Sequence, residues 1–136
     1  MNDLSAAIGI SQLKKVDEFI ATRKLIHNAY NEGLKDLDWL DIPKPIDSLI
    51  TSSYYMYHIQ IKDSKNRNRL SRYLRDRGIY TTFRYYPLHL VKYYNVDVNL
   101  PNSEWAANHT LNLPLHQSLS QEDVTHIIKS IKEFKN

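Results

Sequence analysis

The 136-residue sequence contains no cysteine, which excludes disulfide bonds and thiolate metal sites. It has only three glycines, and they lie too far apart to form a glycine-rich phosphate-binding loop. No apolar run approaches the ~20 residues that a membrane-spanning helix needs. The first residues also lack the order of a signal peptide. We therefore expect a soluble, cytoplasmic protein that makes no membrane contact.

The usual motifs of metal and nucleophilic catalysis are also missing. None of the six histidines has another histidine three or four residues away, and no HExxH motif is present. No serine lies in a GxSxG turn, so the sequence does not predict a nucleophilic triad. We expect no metal site in this chain.

The sequence does contain a long helical pattern at its start. From Asn2 to about Leu37 there is no proline, and apolar residues recur mostly every three or four positions. Asn2 or Asp3 is expected to cap this helix, and Gly33 to end it. About 30 residues would extend ~45 Å, which exceeds the ~26 Å diameter of a domain of this size. We expect the small apolar tip Ala6–Ile10 to contact a partner.

The remaining elements alternate between strands and helices. We predict an α+β fold, a long N-terminal helix followed by β-α-β-α-β-α, with residues 1–37 as the helix and 38–136 as a small domain. The predicted elements are strand Tyr54–Ile61, helix Lys65–Arg77 with Gly78 at its C-cap, strand Ile79–Tyr86, a helix from Ser103 to about Thr110, strand Leu111–Leu115, and a last helix opened by the near capping box Ser120–Asp123.

The stretch TTFRYYPLH, residues 81–89, carries the candidate binding residues. On a strand, alternate side chains face opposite sides, which separates Thr82, Arg84 and Tyr86 from Thr81, Phe83 and Tyr85. We assign Phe83 and Tyr85 to the core. Arg84 is a candidate anion ligand because guanidinium binds phosphate oxygens through two hydrogen bonds, and His89 could add a donor. The alternative is a rim arginine paired with an acidic neighbour.

A run of basic residues supports a second interpretation. Eight lysines and arginines lie between Lys62 and Arg84, against only Asp63 and Asp76, and aromatic residues are interleaved with them. Such a surface could bind RNA through phosphates and bases. The alternative is a solvated helix face, which we favour because the arginines do not form one stripe, so we do not expect nucleic acid as a partner.

Three segments of the sequence resemble one enzyme family. MNDLSAAIGISQLKKVDEFIATRKLIHNAY, GIYTTFRYYPLHLVKYY and LPNSEWAANHTLNLPLHQSLSQEDV are similar, in this order, to parts of the DegT/DnrJ/StrS sugar-nucleotide aminotransferases. The resemblance implies the small, C-terminal domain of a fold type I enzyme, which uses pyridoxal phosphate (PLP) to aminate a nucleotide-linked keto-deoxy sugar in deoxyamino-sugar or surface polysaccharide biosynthesis. It also implies homodimers with shared active sites.

The resemblance further implies that essential parts precede this region. The family's Schiff-base lysine, the acidic partner of the pyridine nitrogen and the asparagine near the cofactor phosphate have no counterpart here. We therefore assign no catalytic, cofactor-binding or metal-binding residue to this chain, and PLP only to the complete enzyme. Arg84, Tyr86 and His89 become candidate contacts of the nucleotide-sugar. Tyr55 stands where many relatives have histidine, which leaves the substrate contacts there open.

We therefore expect a chain that is inactive alone: a truncated product, one half of a split enzyme or an engineered fragment. Its partner would be the missing large, PLP-binding domain or a split partner chain. Without that partner, self-association through Ala6–Ile10 is expected. The alternative is a non-catalytic α+β module that uses its basic, aromatic surface to bind RNA or a protein.

Overall fold

The computed structural model describes residues 2–47, 49–83 and 85–135. Its helices are α1 (Asp3–Leu13), α2 (Val16–Leu34), α3 (Ser64–Arg75), α4 (Pro101–His109) and α5 (Gln121–Lys132). Its strands are β1 (Leu40–Asp41), β2 (Tyr57–Ile61) and β3 (Thr110–Leu113), and two 3₁₀ turns lie at Leu88–Leu90 and Lys92–Tyr94. The predicted α+β class is confirmed.

The long N-terminal helix consists of two helices separated by a turn at Lys14–Lys15. The Asn2 side chain caps α1, since its Oδ1 accepts a hydrogen bond from the backbone N–H of Ser5 at 2.9 Å. α1 has no buried residue, whereas α2 buries one side against the domain. The turn therefore lies where tertiary packing begins. Both lysines are good helix formers, and nothing in their side chains explains the break.

The three strands form an antiparallel sheet in the order β1-β2-β3. β1 is a two-residue strand that the sequence analysis missed. The predicted strand Ile79–Tyr86 is wrong as a regular strand, because the segment joins the sheet through a single bridge between Thr82 and Asn112. In an antiparallel pairing of Thr82 with Asn112, Tyr80 would next meet Pro114. Proline has no N–H, so the ladder cannot continue in that direction.

One face of the sheet forms the core with α2, α3 and α5. Burial alternates along β2, where Tyr57, Ile59 and Ile61 are buried and the residues between them are half-buried, whereas all four residues of β3 are buried. The helices contribute Tyr30 and Leu34 of α2, Leu70 and Leu74 of α3, and Val124, Ile127 and Ile131 of α5. In α5 these buried residues recur every three or four positions and form an apolar stripe.

The ends of two helices follow the sequence signals. Gly78 has a φ of 75°, and the N–H groups of Gly78 and Ile79 donate to the carbonyls of Arg75 and Leu74, both at 2.9 Å. This is a Schellman motif that ends α3. Ser120 and Asp123 form a reciprocal capping box that starts α5. α4, however, begins at Pro101 and not at the predicted cap Ser103, since proline suits the first helical turn.

The apolar side chains of α1 are unpartnered in this chain. Leu4, Ile8, Ile10 and Leu13 are between 57% and 72% exposed. The prediction that this helix extends away from the domain is consistent with that exposure. Within the described ranges, no helix is long and apolar enough to cross a membrane.

Candidate functional site

The segment that follows the Thr82 bridge borders a small cleft. Tyr86 is 66% exposed, and its side chain lines a cleft of about 240 Å³ together with Arg67 of α3 and Glu104 of α4. Of the three predicted substrate contacts, Tyr86 lines this cleft. His89 lies on the 3₁₀ turn Leu88–Leu90 that follows. Arg84 lies outside the described residues.

His89 is held by a residue that the sequence analysis did not identify. Its side chain is 5% exposed, and its Nε2 lies 3.1 Å from Oε1 of Glu104. This contact joins the first 3₁₀ turn to α4. Because Nε2 faces the carboxylate, only Nδ1 remains to face another group. Fifteen residues separate the two side chains, and no sequence motif signals such a contact.

Phe83 and Tyr85 are not core residues, which corrects their assignment. They are 48% and 71% exposed. Thr82 forms an isolated bridge, and neither Phe83 nor Tyr85 lies in a regular strand. The guanidinium of Arg67 instead lies 4.3 Å from the centre of the Phe83 ring. Thr81 is buried, and its hydroxyl lies 3.0 Å from that of Ser71.

Arg67 fixes the end of α4 beside the same cleft. Its Nε and Nη2 donate hydrogen bonds to the carbonyls of Asn108 and Ala107 at 3.1 and 3.2 Å. These carbonyls lie in the last turn of α4, where a cation is favourable. Partial burial lowers the pKa of Arg67, but an arginine remains charged at neutral pH.

Other members of the basic run also bind within the chain. Lys62 donates to the carbonyl of Asp38 at 2.5 Å. Arg69 contacts Asn66 and the carbonyl of Lys135, and the guanidinium of Arg77 lies 3.5 Å from the ring centre of Tyr73. Of the seven basic residues of this run that the structure describes, four therefore have intrachain partners, which reduces the surface available to a polyanion.

A larger cavity, of about 500 Å³, lies beside the end of β3 and is also lined by residues that precede β2, by residues between α3 and the Thr82 bridge, and by α5. Tyr55, Tyr80, Thr82 and Asn112 are among its lining residues, and His116 and His126 lie on the α5 side. Asn112 is 6% exposed. Its side-chain nitrogen, Nδ2, is buried and has no hydrogen-bond partner among the described residues. The sequence analysis missed this residue.

Two further histidines belong to the packed part of the molecule. Burial lowers the pKa of both His27 and His58, so both are neutral at pH 7. His27 Nδ1 lies 3.4 Å from the amide nitrogen of Asn31. The amide oxygen of Asn31 accepts a hydrogen bond from the Tyr57 hydroxyl at 2.8 Å. In the described part of the chain, no three His, Asp or Glu side chains are grouped as a metal site would require.

The lysines of this chain do not fit the attachment of PLP. A cofactor-binding lysine is enclosed in a pocket that orients the imine. All eleven lysines here are exposed: Lys14, Lys15, Lys24, Lys35, Lys44, Lys62, Lys65, Lys92, Lys129, Lys132 and Lys135.

The fold is that of aminotransferases. The aminotransferase TlmJ from Streptoalloteichus hindustanus superimposes with a TM-score of 0.94 and 45% identity, over 97% of this chain and 36% of that chain. PseC from Helicobacter pylori, an aminotransferase involved in the biosynthesis of pseudoaminic acid, gives a TM-score of 0.86 and 26% identity, over 98% and 37% of the two chains. These structures are PLP-dependent enzymes of fold type I.

The family model of the DegT/DnrJ/EryC1/StrS aminotransferase family matches residues 1–132, and the chain belongs to this family. It is 40% identical over 123 residues to the dTDP-4-dehydro-2,3,6-trideoxy-D-glucose 4-aminotransferase of Saccharopolyspora spinosa, covering 90% of this chain and 32% of that protein. It is 31% identical over 135 residues to the GDP-perosamine synthase of Escherichia coli O157:H7, and this match covers 98% of this chain and 36% of that protein. The chain thus spans about a third of the length of these curated relatives.

Proposed function

We propose that this chain is the small domain of a PLP-dependent aminotransferase that acts on a nucleotide-linked keto-deoxy sugar. One observation carries the proposal: nearly all of this chain superimposes on just over a third of an aminotransferase. In this view residues 1–37 form the interdomain helices and residues 38–136 the small domain. The product would serve deoxyamino-sugar or surface polysaccharide biosynthesis, in the cytoplasm.

The chain is proposed to be inactive alone because it lacks a group that can hold the cofactor. When bound, PLP supplies the electron sink for amino-group transfer. Because every lysine of this chain is exposed, we propose that PLP is attached to another part of the complete enzyme. This chain would contribute substrate contacts instead. Tyr86 is exposed at the cleft, and Glu104 fixes the orientation of His89. Arg84 is proposed to bind the diphosphate.

The missing partner is proposed to be a large, PLP-binding domain that covers α1. The apolar side chains of α1 are exposed on a helix that buries nothing in its own domain. Burying them would be favourable by about 25 cal/mol per Å² of apolar surface. In the absence of that domain, we expect copies of this chain to associate through Ala6–Ile10.

Adding PLP and glutamate to the purified chain tests the proposal. We expect no absorbance band of a lysine imine and no amination of a nucleotide-linked 4-keto-6-deoxy sugar. Such a band, together with amination by this chain alone, would overturn the claim of inactivity.

The RNA-binding alternative is tested by titrating single-stranded RNA at low and high salt. Lys65, Arg72 and Arg75 are exposed and would carry such binding. Binding that weakens with salt and on Arg72→Ala or Arg75→Ala would favour the alternative. The aminotransferase proposal predicts no binding at low salt.

A further inference from the structure

Asn112 lies on the side of the sheet that faces away from the core. Its neighbours Leu111 and Leu113 are buried in the core, and strand alternation turns Asn112 to the opposite face. On that face it is paired with His58 of β2 on one side and Thr82 on the other. Its backbone N–H and carbonyl are both satisfied by Thr82, at 2.9 and 3.2 Å.

The Asn112 side chain, in contrast, is unsatisfied. A primary amide offers two N–H donors and a carbonyl acceptor, yet Nδ2 has no partner within the described ranges. Buried polar groups of folded proteins are nearly always hydrogen-bonded, and an exception needs a reason. Nδ2 itself is covered by its surroundings, although Asn112 lines the cavity. A half-turn of the amide exchanges Nδ2 and Oδ1, and this rotation decides whether the cavity meets a donor or an acceptor.

The remaining walls of the cavity indicate the kind of group that would satisfy this amide. They combine apolar side chains such as Leu113, Leu119 and Ile127 with the polar side chains of Thr82, Asp123, His116 and His126. Tyr80, which is 71% exposed, offers an aromatic surface at the same cavity. A volume of about 500 Å³ lies within the range of small-molecule sites. A deoxy-sugar has both the oxygens and the apolar C–H faces that these walls would contact.

We infer that this cavity receives the sugar ring of the substrate and that the Asn112 amide hydrogen-bonds one of its oxygens. The inference rests on the proposed function for the identity of the ligand. It makes Asn112 a specificity-determining residue, one that selects a hydroxyl or carbonyl oxygen at a single position of the ring. An analogue without that oxygen would leave the amide unpaired, and a site of this kind rejects such analogues.

The test is an NMR titration of the full 136-residue chain with dTDP-glucose and, separately, with dTDP. We expect dTDP-glucose, but not dTDP, to shift the side-chain NH₂ signals of Asn112 and the backbone signal of Thr82. Asn112→Leu, which has similar volume and keeps the backbone bonds, should weaken dTDP-glucose binding by about tenfold. Thr110→Val is the matched control: it lies on the same strand and face, outside the cavity lining, and should bind like the wild type.

Three results would overturn the inference. They are equal shifts with dTDP and dTDP-glucose, wild-type affinity in Asn112→Leu, and shifts confined to residues 85–90. The last result would leave the proposed function intact, because the nucleotide would still bind near Tyr86. If neither ligand shifts any signal, the inference fails, whereas the proposed function is decided separately by the assay with PLP and glutamate. Should Asn112→Leu not fold, Asn112→Ala removes both the donor and the acceptor and keeps the backbone bonds, and it should weaken binding in the same way.

Discussion

Tyr30 joins the first part of the chain to the end of the sheet. Its side chain is fully buried, and its hydroxyl donates a hydrogen bond to the carbonyl of Pro114 at 2.8 Å. Burial, followed by the nearby Tyr57 and Asp123, raises the pKa of Tyr30. Burial also raises the pKa of Tyr57. Both phenols therefore hold their protons more tightly in the folded than in the unfolded state.

This difference predicts a loss of stability in alkali. An unfolded tyrosine titrates near pH ~10, so the stabilisation is complete below that pH and is lost as the pH rises towards the folded pKa. Tyr30→Phe should lower the free energy of unfolding at pH 7 by about 1 kcal/mol, since the hydrogen bond is lost. It should also make the decline above about pH 10, where the unfolded tyrosine ionises, less steep.

Urea unfolding at several pH values measures both effects. Tyr93→Phe is the control, because Tyr93 is 90% exposed and should change neither the stability nor its pH dependence. An equally steep alkaline decline in Tyr30→Phe and the wild type would show that Tyr30 does not cause it.

Replacing glycine by alanine should have opposite effects at Gly9, which lies inside α1, and at Gly78, which follows α3. A Cβ at Gly9 or at Gly78 would meet no atom within 4 Å, so only the backbone decides. Gly78 has a φ of 75°, and Gly78→Ala should cost about 1–2 kcal/mol of stability. Gly9 lies inside the unpacked α1, so Gly9→Ala should raise helicity by circular dichroism without changing the unfolding midpoint. A destabilising Gly9→Ala would show that α1 packs on the domain.

The hydrogen bonds of Arg67 hold the end of α4 against α3, and a substitution of Arg67 tests how much they stabilise the fold. Arg67→Lys loses two hydrogen bonds to the end of α4 and the contact with Phe83, because an ammonium cannot reproduce the guanidinium fork. We expect a loss of about 2 kcal/mol in urea unfolding. Arg72→Lys, on the exposed side of the same helix, should stay within ~0.5 kcal/mol of the wild type. Similar losses in both variants would mean that general helix propensity, and not the α4 contact, is responsible.

The sequence predicts elements best where local chemistry decides them. The α5 stripe and the Ser120–Asp123 capping box are local patterns, and both are present. The segment Ile79–Tyr86 is different, because its pairing depends on β3 and on Pro114, more than 30 residues away. The exposure of Phe83 and Tyr85 follows from that missing ladder.

The candidate site was predictable in part. Tyr86 and His89 follow from a short aromatic and basic motif, and the structure places them beside one cleft or on its adjoining turn. Glu104 and Asn112 could not be found in this way. Glu104 contacts His89, which lies fifteen positions earlier in the chain. Asn112 is recognised only by its burial and its unsatisfied amide.

At the scale of the whole molecule, the account depends on the apolar surface of α1. Ile8 is 57% exposed, and Ile8→Glu should weaken self-association of the chain by at least about tenfold, because a charge cannot be buried at low cost. Sedimentation equilibrium measures this change. Gln117→Glu adds the same charge at an exposed position outside α1 and should leave the association unchanged. An oligomer that persists in Ile8→Glu would exclude α1 as the contact surface.

The most direct measurement of the central claim is complementation. This chain would be mixed with the part of the Saccharopolyspora spinosa relative that it does not match, and amination of a nucleotide-linked keto-sugar would be followed with PLP and glutamate present. We predict activity in the mixture, none with either part alone, and at least about a tenfold loss with Ile8→Glu. Amination by this chain alone, or a mixture indifferent to Ile8→Glu, would contradict the account.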